Sequence, residues 1–226
     1  MEQKYYSVAI DGPAGAGKST IARQAAQRLQ FVYVDTGAIY RTVGYAAFSE
    51  GIALTDTTSI AALLPKLAVS LRWENGLQHM QLNGRDVTDL IRQPEISTYA
   101  SVSAAIPEVR AFLLNTQREI ARTHSVVMDG RDIGTVVLPN ADVKIFLTAS
   151  AEVRAKRRYL ELQSKSVSDT YETVLADMIE RDRRDTERPI APLKQAPDAV
   201  LVDTSELSPE ESVDAVVRVI WERIKL

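Results

Sequence analysis

A glycine-rich run, Gly12-Pro13-Ala14-Gly15-Ala16-Gly17-Lys18-Ser19, limits the fold of this 226-residue chain more than any other stretch. It follows a short apolar run, Tyr5 to Ile10, that ends at Asp11, and it leads into a helical stretch from Lys18 to Leu29. An apolar strand that turns on glycines into a helix opens a crossover unit, in which the next strand lies parallel to the first. The rest of the chain keeps that rhythm. Phe31 to Val34, Val126 to Met128, Val143 to Leu147 and Ala199 to Val202 are further short apolar runs. Thr36 to Glu50 reads as a helix, and Ser208-Pro209-Glu210-Glu211 is a capped start for a last amphipathic helix. Short apolar strands alternating with helices imply an α/β domain whose mainly parallel sheet is covered on both faces.

One region departs from this pattern. Val69-Ser70-Leu71-Arg72-Trp73 and Leu77-Gln78-His79-Met80-Gln81-Leu82 alternate apolar and polar residues around Glu74-Asn75-Gly76, and a second turn follows at Asn83-Gly84. Asn-Gly between alternating runs predicts a small antiparallel insert. Arg188-Pro189-Ile190-Ala191-Pro192 predicts an extended connector, because proline disfavours helix there.

The glycine run, placed between strand and helix, is a phosphate-binding loop. Its glycines let successive N–H groups curl inward toward phosphate oxygens, aided by the positive end of the following helix. Gly12 through Ser19, with Thr20, form the predicted nucleotide-binding run. Lys18, read as an exposed loop residue, sets a point charge against the terminal phosphates, and Ser19 offers a hydroxyl to Mg²⁺. Asp129, after an apolar strand, suits a carboxylate that holds Mg²⁺ through water, although a turn carboxylate explains it equally well.

Such a loop serves kinases, GTPase switches and motor ATPases alike. No guanine-reading Asn-Lys-x-Asp motif is present. In Arg181-Asp182-Arg183-Arg184-Asp185-Thr186-Glu187-Arg188, positions 181, 184, 185 and 188 fall on one face of a helix, setting three guanidiniums around a carboxylate. Arg154, Arg157 and Arg158 repeat that spacing, and Arg157 is a further candidate contact for ATP. Arginine suits the charge on a transferring phosphoryl group, whereas the alternative is a solvated helix with local ion pairs. A net charge of −3 argues against nucleic acid as the main partner. No apolar stretch approaches the ~20 residues that a membrane span requires. The chain has no cysteine, which removes disulfides, thiolate metal sites and cysteine nucleophiles and fits a reducing, cytoplasmic setting.

The phosphate-binding loop resembles that of the nucleoside monophosphate kinases. Asp35-Thr36-Gly37-Ala38-Ile39-Tyr40-Arg41, Asp129-Gly130-Arg131-Asp132-Ile133-Gly134-Thr135-Val136-Val137, Lys144-Ile145-Phe146-Leu147 and Arg181-Asp182-Arg183-Arg184-Asp185 are similar to motifs of the bacterial cytidylate kinases. The resemblance runs from Val8 to the last helix and includes the hairpin insert. It implies a P-loop kinase with a five-stranded parallel sheet that transfers the γ-phosphoryl group of ATP, with Mg²⁺, to CMP and dCMP. It also implies a core at about 1–66, 124–150 and 190–226, a CMP-binding insert at about 67–123 and a lid at about 151–189.

By the same resemblance, Arg131 and Arg41 grip the phosphate of CMP. Thr36, Ser101, Arg110, Asp132 and Arg188 surround the cytosine, and Arg181 and Asp185 meet the sugar. Thr36 is a serine in some relatives, so a hydroxyl is kept. Spacing puts Tyr40 on the same helical face as Thr36, where simple core packing is the alternative. Lys18, Arg131, Arg181 and Arg188 form the predicted catalytic set. The expected enzyme is a monomer acting on small nucleotides, with no nucleic-acid or membrane partner. The residues by themselves leave open another acceptor, such as UMP, AMP or a sugar, and an ATP-binding switch.

Overall fold

The computed structural model describes residues 4–74, 76–164 and 168–225. The chain begins β1 (Ser7–Asp11), α1 (Lys18–Leu29), β2 (Val32–Asp35), α2 (Thr36–Ser49) and α3 (Thr57–Leu63). It continues β3 (Val69–Glu74), β4 (Leu77–Leu82), β5 (Arg85–Asp86), α4 (Pro94–Ser103) and α5 (Pro107–Thr123). It ends β6 (Val126–Gly130), β7 (Val143–Thr148), α6 (Ala151–Ser164), α7 (Tyr171–Glu187), β8 (Val200–Asp203) and α8 (Pro209–Ile224). Five strands form the expected parallel sheet in the order β2-β6-β1-β7-β8, and β3-β4-β5 form a separate antiparallel sheet.

Two compact units divide the chain, one of residues 4–5 and Val32–Val126, the other of Tyr6–Phe31 and 127–225. In the second unit, β1 and β7 pair in parallel from Val8 opposite Val143 to Asp11 opposite Phe146. Both strands are apolar because helices cover them: Val8, Ala9, Ile10, Ile145 and Leu147 are buried. α1 buries Ile21, Ala22, Ala25 and Ala26 and packs against α8, which buries Val213, Val216 and Ile220. Each large apolar side chain so buried is worth about 1.5–3 kcal/mol. The capping box read at Ser208 forms, with Glu211 N–H donating to Ser208 Oγ at 3.2 Å and Ser208 N–H to Glu211 Oε2 at 2.8 Å. Ala155 on α6 and Val174 and Met178 on α7 form the seam of a helical pair.

α7 ends one residue earlier than the helical-face reading needs. Arg188 is its C-cap at ψ 137°, outside the helix, so it does not share a helical face with Arg181. The cause is local: Pro189 drives the residue before it out of the helical region. The connector that follows is non-helical but bent rather than extended, with Ala191 at φ 50°.

In the first unit, α2 lies against α4 so closely that a Cβ on Gly44 would meet Ala100 N at 2.9 Å. β3 and β4 pair antiparallel with Leu71 opposite Met80, and Met80 is buried. Asn83 and Gly84, at φ 51° and 80°, make the second turn, the left-handed pair that a tight hairpin favours. The Asn75 of the first turn lies outside the described residues.

Candidate active site

In the second unit the phosphate-binding loop hangs between β1 and α1. Gly12 has φ 152° and faces Leu147 so closely that a Cβ would come within 1.9 Å of its carbonyl oxygen. Glycine is therefore obligatory at the first position of the loop. Gly15 is hemmed in by Met178 Cε, 2.9 Å from where its Cβ would sit, and by Arg154. α1 starts at a left-handed Gly17 with no side-chain cap, which leaves its first-turn N–H groups to serve an anion. Pro13, Ala14 and Ala16 are buried in the loop, and Thr20 is exposed on α1.

Lys18 is not the exposed loop residue the sequence suggested. It is the first residue of α1, only 5% exposed, and its Nζ donates to Pro13 O at 2.6 Å. Burial pushes its pKa well below the ordinary value, Arg131 and Arg181 push the same way, and Asp129 and Asp185 oppose them. Arg131 and Arg181 thus add their positive charge to that of Lys18 at the end of the loop, a field that suits a polyanion. Ser19 Oγ donates to Asp129 Oδ2 at 2.9 Å, so the two predicted Mg²⁺ residues stand together. A hydroxyl and a carboxylate are the hard oxygen donors Mg²⁺ takes, its other positions being filled by water and phosphate.

Four other predicted residues of this unit fall into two ion pairs, one partly and one almost fully buried. Arg131 Nε donates to Asp185 Oδ2 at 2.8 Å. Burial alone would raise the Asp185 carboxyl, yet Arg131, with Arg181 and Arg188 behind it, holds it below the usual carboxylate range. Arg188 Nη2 donates to Asp132 Oδ1 at 3.1 Å and its Nε to Ala191 O at 2.6 Å. Arg181 and Asp185 therefore belong to this cluster as expected, and Arg188 joins it from the connector rather than from α7. Arg184 does not join it: it is exposed and 3.8 Å from Glu180. Asp182, between them in sequence, is the residue that turns inward.

The repeated spacing on α6 likewise splits. Arg154 is buried, donating from Nε to Ala149 O at 2.8 Å and from Nη1 to Ala14 O at 2.9 Å, with Nη2 2.7 Å from Asp182 Oδ2. Arg157 donates to Thr204 O at 2.7 Å, and Arg158 is exposed beside Glu161. Only the first of the three reaches the phosphate-binding loop among these contacts, because each i to i+4 step on α6 meets a different neighbour.

In the first unit, Thr36 and Tyr40 are both buried on α2, as their spacing predicted. Asp35 caps the helix by accepting from Ala38 N at 2.9 Å and holds Arg41 Nη2 at 2.9 Å. The Gln78 side chain, from β4, takes both sides of the Asp35 backbone: its Oε1 accepts from Asp35 N at 2.8 Å and its Nε2 donates to Asp35 O at 3.2 Å. Arg110, in the first turn of α5, is buried, stacks 5.7 Å over the Tyr40 ring and donates to Ala104 O at 3.2 Å. Ser101 is half-buried on α4.

Four residues with roles here were missed in the sequence: Asp11, Asp35, Gln78 and Asp182, the partner of Arg154. A carboxylate closing the buried strand β1 was a usable signal for Asp11. Gln78 had none beyond strand alternation.

A profile of the cytidylate kinase family matches residues 8–222. A cytidylate kinase of Exiguobacterium sp. is 48% identical over 220 residues, 97% of this chain and 98% of its own. The cytidylate kinase of Bacillus subtilis is 45% identical over 223 residues, 99% of each chain. Among solved structures, a shikimate kinase from Bacteroides thetaiotaomicron has a TM-score of 0.51 at 14% identity, covering 98% of this chain and 99% of that one, a likeness of fold. With the phosphate-binding loop, the paired Arg131 and Asp185, and the matched span agreeing, the chain belongs to the cytidylate kinase family.

Proposed function

We infer that this chain transfers the γ-phosphoryl group of ATP to CMP, and to dCMP, giving CDP or dCDP and ADP. The observation that carries this reading is the phosphate-binding loop itself, with Lys18 buried at its end, Ser19 bonded to Asp129 and the positive charges of Arg131 and Arg181 acting on the lysine. Family membership supports CMP as acceptor.

ATP phosphates lie along Gly12 to Thr20, with Arg157 at the donor side. Ser19 and Asp129 would hold Mg²⁺, and the ion when bound would supply charge neutralisation at the phosphates. Arg41 and Arg131 grip the CMP phosphate. Thr36, Tyr40, Ser101, Arg110, Asp132 and Arg188 serve the base, and Arg181 and Asp185 the sugar. The insert at about 67–123 belongs to the acceptor and the segment at about 151–189 is a lid. Phosphoryl transfer of this kind passes a loose transition state, so Lys18 and the arginines act by alignment and charge neutralisation. A CMP phosphate oxygen is already ionised at neutral pH and needs no strong base. Arg131 and Arg188 are held by carboxylates now, and substrate phosphate competes with Asp185 for Arg131.

No helix among the described residues is long and apolar enough to cross a membrane. The enzyme so inferred is a cytoplasmic monomer, and the absence of cysteine fits a reducing compartment. Incubation with MgATP and each of CMP, dCMP, UMP and AMP, with ADP release measured, tests the function. ADP release that depends on CMP is expected. Release that ignores the acceptor, or favours UMP or AMP, overturns the reading.

A further inference from the structure

We propose that Asp11 is a positioning residue for phosphoryl transfer, its carboxylate locking the segment that carries Arg131 and Asp132 to the strand end from which the phosphate-binding loop departs. The inference rests on the proposed function and assigns a part to a residue that function does not use.

Asp11 is the last residue of β1, and its peptide bond to Gly12 is the root of the loop. The side chain is only 4% exposed. Its Oδ1 accepts from Ile133 N at 2.7 Å and its Oδ2 from Gly134 N at 2.7 Å, so both oxygens engage consecutive backbone donors. Those donors open an unusual turn. Residues Ile133–Val137 form a single π-helical turn, with Val137 N donating to Asp132 O at 3.2 Å and Leu138 N to Ile133 O at 2.7 Å.

The first N–H groups of any helical turn need an outside acceptor. The residue placed to provide one is Asp132, in the N-cap position, yet its side chain makes no cap bond. It is paired with Arg188 instead. Asp11 therefore caps the turn from another strand, and by doing so leaves the Asp132 carboxylate to a second task. One residue further back, Arg131 meets Asp185. A shift of the 133–134 backbone would carry both buried pairs with it.

Stability alone is a poor account of this carboxylate. Burial raises its pKa to about 6 although both backbone N–H groups, and Lys18, pull it down, and Asp132 adds to the rise. A buried charge held at such a cost is weak support for the fold. Its geometry instead serves register. Asparagine is nearly the same shape but sets an NH₂ donor against one of the two N–H groups, so it cannot reproduce the clamp.

The experiment compares wild type with Asp11→Asn and Gly134→Ala. The second variant reaches the same clamp from the other side, since its new Cβ would lie 3.1 Å from Lys144 Cδ and 3.4 Å from Asp11 Oδ2. Three quantities are read: kcat and KM for CMP and ATP, the CMP:UMP ratio in kcat/KM, and hydrogen exchange at the Ile133 and Gly134 amides. Expected are faster exchange at those amides, kcat lowered by about 10²-fold as for an ångström-scale misplacement, a narrowed CMP:UMP ratio and little change in KM for ATP. A merely structural role would move the melting temperature and leave kcat and the ratio alone. If both folded variants keep wild-type kcat, or if the amides exchange at wild-type rates, the proposal is overturned. A wild type with no CMP-dependent activity would instead overturn the function on which it rests, and the exchange rates would still report whether the clamp exists. Should Asp11→Asn not fold, Gly134→Ala carries the test by the same readings.

Discussion

Replacing Arg154 with methionine is a demanding trial of the site's architecture. Its side chain is 6% exposed, and the guanidinium reaches Ala149 O, Ala14 O and Asp182 at 2.8, 2.9 and 2.7 Å. Methionine keeps the stem and removes every donor. Breaking a buried ion pair from one side costs about 3–5 kcal/mol, because the abandoned charge stays buried. Asp182 retains some solvent, its side chain being 22% exposed, which sets the expectation for Arg154→Met near the lower end, about 3 kcal/mol. Asp182→Leu strands the arginine but leaves it two carbonyl acceptors, so about 2 kcal/mol is expected there. In Arg154→Met/Asp182→Leu neither charge is stranded, and the two losses should not add. Urea unfolding of the four proteins, compared at constant m-value, gives the coupling. A coupling of at least about 1.5 kcal/mol is expected, whereas about 0.5 kcal/mol or less, typical of a solvated pair, refutes the reasoning. Because Ala14 belongs to the phosphate-binding loop, Arg154→Met should also raise KM for ATP.

Lys18→Ala should lower turnover by about 10²–10³-fold, as for loss of one preorganised donor, while remaining folded, since the deleted ammonium is buried at a cost; wild-type turnover removes it from the mechanism. Asp132→Asn should shrink the CMP:UMP ratio in kcat/KM without inverting it, because an amide can turn a donor toward the uracil O4 while Arg110 still opposes uracil. An unchanged ratio ends that role for the carboxylate. Arg188→Ala should impair CMP phosphorylation far more than Arg183→Ala, since Arg183 is exposed and pairs with Glu180 and Glu187 on its own helix, and equal effects would reduce the cluster to surface charge. Asp11 rises from 3.8 unfolded to about 6 folded, so between those values the folded chain holds a proton the unfolded chain has lost. Its contribution favours folding at low pH and is lost as pH climbs past about 6, by up to about 3 kcal/mol. Asp11→Asn should therefore gain stability relative to wild type between about pH 4 and pH 7 in matched urea titrations, and a constant difference would contradict the burial argument.

The strands and helices were legible because each announces itself locally, by an apolar run, a glycine turn or the Ser208 cap. The phosphate-binding loop is the extreme case, its spacing and its context lying within a few residues. Arg188 leaves the helix for a local reason too: Pro189 follows it, and helical periodicity alone carries the face one residue too far. Lys18 is different. Its burial comes from the fold around the loop, where Arg154 and Met178 meet residues more than a hundred positions earlier, and no local pattern reports that. The same holds for Asp11, whose partners lie 122 and 123 residues on. Arg154, Arg157 and Arg158 show the limit of periodicity itself: it groups residues by direction from one helix, not by what waits in each direction.

Gln78 grips the backbone of Asp35 on both sides of its Cα, and that makes the small hairpin a measuring device. Its amide finds Asp35 only while β4 keeps its pairing with β3, Trp73 opposite Gln78. A slip of one residue would turn Gln78 to the opposite face and present His79 or Leu77 in its stead. The start of α2, with Thr36, Tyr40 and Arg41 along it, is thus indexed to the tightness of turns that touch none of them. Lengthening the turn that joins β3 to β4 by a single residue is a change that a surface loop ordinarily absorbs; in this chain it would be transmitted, as an error of phase, to the helix that begins at Thr36.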